Sequence, residues 1–464
     1  MRRCVQLVCT SLMLGCAGSG AGDPSSLSIW ITTDGGKNAV EPDAGETADS
    51  AAAADTAAPQ DSAASSDSTA TIGDAATSVP PDAGPTGPVD ASASGGGYDA
   101  YIAKYASAGA QYFVSPSGSD SNPGTSSASP WATIAHADSA APACSVIWFE
   151  PGTYTMTGGS EGVHTTSSGT SSCHKAYVST TYGGAQLRWT GAGNADPTWW
   201  EDRKYVDHVG FDISSPGGCD AYFGGGNNIY AYNRVHDVDV AGVADPSWCG
   251  NGTGGGGIAM GIGNGGNTIY ANVIWNIGQS GGKWIHGIYS AGSGDVVQNN
   301  VVYSASGACW QGYHEDTNVV LTNNTFSDCQ SFGIVFGGDS CGATAGANLF
   351  IANNIVANSP ASAGAIASCC GSGTTSQITM TNNLLNGDAT GVNTGACGAD
   401  GTPQPTATVA SSPGFVNYAS PAAGGDFHLK PGSSAIGAGT PTNAPSLDLD
   451  GKARKSPPSI GAYE

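Results

Sequence analysis

Apolar, β-rich runs that end at asparagine dominate the stretch from Tyr205 to Asn386. Six of them recur: Ile229 to Asn233, Ile269 to Asn272, Val296 to Asn300, Val319 to Asn324, Phe350 to Asn354 and Ile378 to Asn383. A second short run separates most of these, as in Gly257-Ile258-Ala259-Met260, Gly287-Ile288-Tyr289 and Gly333-Ile334-Val335. The closing asparagines lie 39, 28, 24, 30 and 29 residues apart. A period of that size marks stacked supersecondary units, each too small to bury an apolar face alone. With short β runs, glycine turns and no helical periodicity, the unit predicted is one coil of an all-β parallel solenoid. Val, Ile and Phe point inward. The asparagine at the bend takes the left-handed conformation and bonds the equivalent amide one coil up. Loops of unequal length leave one side and are the expected carriers of function.

The flanks refine the outline. Tyr98 to Ala108 reads as a short amphipathic helix capping the open end. There follow Val114-Ser115-Pro116-Ser117-Gly118-Ser119-Asp120, Pro130-Trp131-Ala132-Thr133-Ile134 and Pro151-Gly152-Thr153-Tyr154. In these motifs the chain, over about residues 111 to 464, resembles the pectate-lyase-like superfamily of right-handed parallel β-helix proteins, of the bacterial surface lipoprotein type. The resemblance implies a right-handed, single-stranded β-helix over 98–425. It also implies a Gly/Pro-rich cap over the last coil at 426–464, and business with polysaccharide.

Met1-Arg2-Arg3 and a short apolar run ending Leu14-Gly15-Cys16 form a signal segment, residues 1–16, of lipoprotein type, with Cys16 the lipidated residue. Residues 17–97 are a disordered linker rich in Ala, Asp, Ser, Thr and Pro, whose acids hold it extended. The expectation is a monomeric domain tethered to the envelope at the cell surface. The net charge of −23 and the lack of any basic patch argue against nucleic acid. Ten of the 13 cysteines fall after the linker. Export makes disulfides their default state, and Cys309–Cys329 and Cys219–Cys249 have spacings of about one coil.

Between Tyr205 and Leu429 the only Lys or Arg side chains are Arg234 and Lys283. A lyase acting on a uronate polymer must neutralise a carboxylate, remove the adjacent proton and protonate the leaving oxygen. Lys283 stands beside Trp284, His286 and Tyr289, and the next coil carries Trp310, Gln311, His314 and Glu315. Aligning Gly287 with Gly312 sets Tyr289 over His314 and His286 over Gln311, on one outward face. Lys283, His286, Tyr289, His314 and Arg234 are therefore the catalytic candidates. Trp284, Trp310, Gln311 and Glu315 are the substrate-binding candidates.

A second constellation, Asp237, Asp239 and Asp245, has the residue types for Ca2+, or for turns at a coil corner. Asp120 and Asn122 offer the same pair of readings, and Asp207-His208 has the Asp-His of pectate lyases without their arginine element. β-Elimination on an acidic glycan is the leading expectation. Non-catalytic glycan binding, adhesion or a structural role is the alternative from another class, and glycoside hydrolysis ranks below.

Overall fold

The computed structural model describes residues 95–156, 162–189, 197–240, 255–278, 284–314, 316–337, 346–358, 365–369, 377–386, 392–393, 405–418 and 425–464. Cys16, Lys283, Glu315, Asp245, Cys249 and nearly all of the 17–97 linker lie outside them. Within the described residues the chain winds as a parallel β-helix, as the repeat predicts. Each coil contributes a strand to three sheets. Sheet A has ten strands, from Ala110–Val114 to Thr379–Thr381. Sheet B has nine, from Gly152–Met156 to Leu384–Asn386, and sheet C nine, from Val163–His164 to Val392–Asn393. All pairings within the three are parallel, as strands joined by crossover connections must be.

Alternation along each strand builds continuous inward columns. In sheet C the column runs Val163, Trp199, Tyr222, Ile258, Ile288, Trp310, Ile334 and Ile366. Every one of these side chains is buried. Side chains of this size contribute roughly 1.5–3 kcal/mol each when withdrawn from water. Rungs therefore lock by apolar side chain over apolar side chain.

At the bend between sheets A and B two jobs expected of one asparagine are divided between neighbours. Asn233, Asn272, Asn300, Asn324, Asn354 and Asn383 are all fully buried. The Nδ2 of each donates to the Oδ1 of the next at 2.9–3.1 Å. The left-handed conformation belongs to the residue before: Tyr232, Ala271, Asn299, Asn323, Asn353 and Asn382, with φ of 52–58°. A side chain aimed along the axis inside the coil needs ordinary backbone; the turn is made one residue earlier. A second, shorter ladder, Asn228–Asn267–Asp295, precedes sheet A in the same way. Its left-handed residues are Asn227, Gly266 and Gly294.

The flanking segments lie elsewhere than expected. The first helix, Gly95–Ile102, and the turn Ala103–Ser107 do not close the open end; they lie on the outer face of sheet A. Tyr98 donates to the Ser179 carbonyl, and Tyr101 packs on Tyr232 and Tyr270. Tyr98 fits because Gly210 has no side chain; a Cβ there would meet its hydroxyl at 1.9 Å. The end is closed by the helix Ile134–Ala140, whose Ile134 and Ala137 join the interior core.

The C-terminal segment likewise does not cap the last coil. It runs back along the sides of sheets A and B as a strap. Asn382 donates to Ala438, Asn353 to Thr440, Asn323 to Ser459 and Asn299 to Leu447, all through side-chain Nδ2. The hairpin Phe415–Tyr418 with Gly425–Leu429 adds Phe427, packed on Tyr303 of sheet B. The physical reason is the doublet itself. The left-handed asparagines splay their amides outward, so the strap has a row of donors to follow.

Cys309 and Cys329 form a disulfide with Cα atoms 5.5 Å apart. Cys219 is also disulfide-bonded.

Candidate functional site

The helix and strap cover sheets A and B, and the buried cluster they make includes no residue of sheet C. The outer face of sheet C carries one column: His164, Trp200, Phe223, Ala259, Tyr289, Gln311, Val335 and Ala367, one per rung. Rungs are about 4.8 Å apart. Trp200 lies 5.8 Å from His164 and 5.2 Å from Phe223, centroid to centroid. His164 is held at 3.2 Å from Asp202. Trp200, Phe223, Tyr289 and Gln311 are partly exposed, whereas Ala259, Val335 and Ala367 are buried.

Around Tyr289 the structure redraws the expected cluster. Tyr289 pairs with Gln311, not His314, and Ile288 pairs with Trp310. Aligning the glycines misplaces the rung by three residues, because apolar side chains set the register. Trp310 is therefore inside, fully buried, donating to Ser290 Oγ at 3.2 Å, and cannot touch a ligand. His286 is buried too. Its Nδ1 accepts from the Ala308 amide at 2.9 Å, and loss of hydration pushes its pKa down to about 3. It is a neutral staple for the turn beneath which it lies, not an acid or base.

His314 has φ 63° and closes the other side of Tyr289, ring edge to face at 6.3 Å. Of the catalytic candidates, Tyr289 and His314 thus share one outer face. Gln311 lies on it, and Trp284 stands just before the strand Ile285–Ser290.

Arg234 is on another face. It sits on the uncovered lower part of sheet B with Arg188, Asp212 and His236. Asp212 receives Arg188, faces Arg234 at 3.5 Å and meets His236 Nε2 at 3.0 Å. The other ring nitrogen of His236 meets Asp237 at 2.7 Å, and the imidazole stacks on Trp275 at 4.5 Å. Burial alone would raise Asp212, but the hydrogen bond from His236 and the charges of His236, Arg188 and Arg234 bring it down to about 2. Burial would lower His236, yet its bonds to Asp212 and Asp237 raise it. Both nitrogens of His236 are occupied by carboxylates, so the cluster is a closed ion network rather than an open acid–base site.

Asp237 and Asp239 each take a left-handed corner position, with φ 52°, and do not share a strand face. Among the described residues no three His, Cys, Asp or Glu side chains are grouped so as to hold a metal ion. Asp120 is fixed by the Ala132 and Thr133 amides and the Thr133 hydroxyl, as a turn residue; Asn122 donates to the Pro130 carbonyl. His208 points into the core, bonded to Glu201 at 3.0 Å, while Asp207 faces outward to Tyr105 and His174.

Sequence reasoning missed the interior acids. Asp295 and Asp316 are fully buried beside Trp310 and Gly312. Asp295 is pushed up to about 7 by burial, and Asp316 is raised well above the carboxylate range by burial and by Asp295. Asp295 was legible as the third member of the Asn228–Asn267 series. Nothing about Asp316, next to a surface-like His-Glu, signals an interior position.

No family model matches the chain, and no curated protein matches it. Solved structures with a similar outline include pectate lyase Pel9A, at 16% identity and a TM-score of 0.48, over 76% of this chain and 96% of that one. Rhamnogalacturonan lyase gives 14% identity and a TM-score of 0.48, over 70% and 97%. Alginate lyase from Paenibacillus sp. str. FPU-7 gives 16% and 0.41, over 55% and 84%. The fold rests on the three parallel sheets themselves: this is a parallel β-helix protein.

Proposed function

We propose that the protein acts on an extended acidic polysaccharide laid along the outer face of sheet C, as a lyase-type β-helix protein at the cell surface. One observation carries the reading. Among the described residues, the helix and strap cover sheets A and B, whereas the outer column of sheet C keeps His164, Trp200, Phe223, Tyr289 and Gln311 at least partly exposed. Indole, phenyl and phenol rings offer apolar surface to sugar rings, and Gln311 offers amide hydrogen bonds. Tyr289 and His314 supply a phenol and an imidazole at one spot for proton transfer. Lys283, which precedes the strand Ile285–Ser290 in sequence, is the candidate for neutralising a uronate carboxylate. Cys16 and the acidic linker would hold the domain away from the envelope.

The neighbours named above include lyases for pectate, rhamnogalacturonan and alginate, and the same class of glycan is proposed here. The test is ultraviolet absorbance of unsaturated uronate on pectin, alginate and glycosaminoglycans, with calcium or with a chelator. Activity lost in Tyr289→Phe and Lys283→Ala supports the assignment; unchanged rates in both variants overturn it.

A non-catalytic glycan binder is the second reading. The burial of His286 favours it, since that removes one acid–base group from the face. Retention on immobilised glycan without any product, lost in Trp200→Ala, would establish it.

A further inference from the structure

We propose that Cys144 and Cys173 are joined as a disulfide that staples two N-terminal rungs together. Both are unbonded and partly exposed in this structure. They are nevertheless in contact: the Cys144 thiol donates to the Cys173 carbonyl oxygen at 3.2 Å. The register explains why. Strands Ser145–Phe149 and Lys175–Ser179 are adjacent rungs of sheet A, with Val146 opposite Ala176. Cys144 and Cys173 sit just ahead of them, one rung apart. Continued backwards, that register sets Cys144 opposite His174, so Cys173 is offset from it by one residue on the neighbouring rung.

The backbone at both ends is fixed. Cys144 has φ 63° and packs its carbonyl against Gly109, where a Cβ would come within 1.9 Å. Cys173 is held in a tight bridge by paired hydrogen bonds with Thr170, at 2.8 and 3.0 Å. The sulfurs are also reachable, since Cys173 lines a cavity of about 420 Å³ between the turn Ala103–Ser107 and sheet A, beside Lys104 and His174. The chain already carries one such link in Cys309–Cys329, which shows that sulfurs on this coil meet in bonding geometry.

The step is thiol–disulfide exchange. One thiol loses its proton and attacks an incoming disulfide, such as oxidised glutathione, releasing one thiol. The second cysteine, also deprotonated, then displaces the other half. Two protons and two electrons leave the cysteine pair, and the oxidant departs as two thiols. The link would close a loop with a sequence separation of 29 residues, which carries the strands Ser145–Phe149, Gly152–Met156 and Val163–His164.

The test is peptide mapping of the full chain, produced in an oxidising compartment and alkylated under denaturing conditions without reductant. The expected product is one cross-linked peptide pair containing Cys144 and Cys173, absent after reduction. Intact Cys309–Cys329 in the same digest serves as the internal control for oxidation. Full alkylation of Cys144 and Cys173 with that control intact overturns the proposal, as does either cysteine bonded elsewhere. The double variant Cys144→Ser with Cys173→Ser is expected to melt roughly 5 °C lower than the oxidised wild type. The same variant matching wild type measured in reductant locates that loss in the bond rather than in packing.

Discussion

The bend between sheets A and B and the open face of sheet C are built on opposite rules. At the bend, one residue type repeats on every rung from Asn233 to Asn383, is fully buried, and bonds to its own copy above. On sheet C the outward column changes at nearly every rung: His164, Trp200, Phe223, Ala259, Tyr289, Gln311. The regular side is then covered by the strap, which bonds the outward amides of the doublets. Repetition identifies scaffold; departure from it, where outward side chains stay partly exposed, identifies where a ligand has something to read.

The largest effect is expected from breaking the ladder at its middle. Asn324 donates to Asn354 Oδ1 and to the Val297 carbonyl, and accepts from the Asn300 amide and side chain, all at 2.9–3.0 Å. Asn324→Ala strands buried partners on both neighbouring rungs, at a cost of about 3–5 kcal/mol. The adjacent Asn323 reaches the strap through Nδ2 at 3.0 Å and takes φ 57°, so Asn323→Gly keeps the turn and costs about 1 kcal/mol. Denaturant midpoints of the two variants measure the difference, and equal losses would break the division of labour inside the doublet.

Next comes the interior acid. Among the described residues, neither carboxyl oxygen of Asp316 has a hydrogen-bond partner. Its folded pKa lies well above its unfolded value, so it contributes stability at low pH that is lost as pH rises. Asp295, at about 7, acts in the same direction. Asp316→Asn cannot ionise and is expected to be about 1–3 kcal/mol more stable than wild type at pH 8, with no advantage near pH 4. Melting curves across that range check it.

The strap offers a milder switch. His428 lies between Asp426 at 2.5 Å and Asp450 at 2.9 Å. Burial would lower it, but those two bonds raise it to about 9. Its contribution is therefore complete below about pH 6.5 and is lost as pH passes about 9. His428→Gln is expected to cost about 1 kcal/mol at pH 6 and nothing at pH 10. Limited proteolysis of the 425–464 segment at the two pH values separates strap loosening from global unfolding.

The coil was legible because asparagine, glycine and β-branched residues recur with a fixed local order, and each has a physical job in that order. The columns followed once alternation was applied. Register within sheet C was not legible from glycine positions, because Gly287 and Gly312 do different things: Gly287 clears Val302 inside the coil, while Gly312 makes room for the Asp316 carboxyl. The strap was hidden because its partners are backbone carbonyls, which any sequence provides. The clusters on sheets B and C mixed in sequence, since Arg234 lies on sheet B whereas Tyr289 and Gln311 lie on sheet C.

The smallest expected effect on stability is also the sharpest use of the comparison. Tyr289 and His314 contact each other on the open face, where Tyr289 pairs with the partly exposed Gln311. Their rung is held from inside by Ile288 and Trp310. His314→Ala and Tyr289→Phe should each shift the denaturant midpoint by less than about 0.5 kcal/mol. Glycan turnover or retention should nevertheless fall in both. A fall in binding without a fall in stability separates ligand surface from scaffold at a single rung. A stability loss rivalling that of Asn324→Ala would mean that the column on sheet C is scaffold as well, and the open face would then need another explanation.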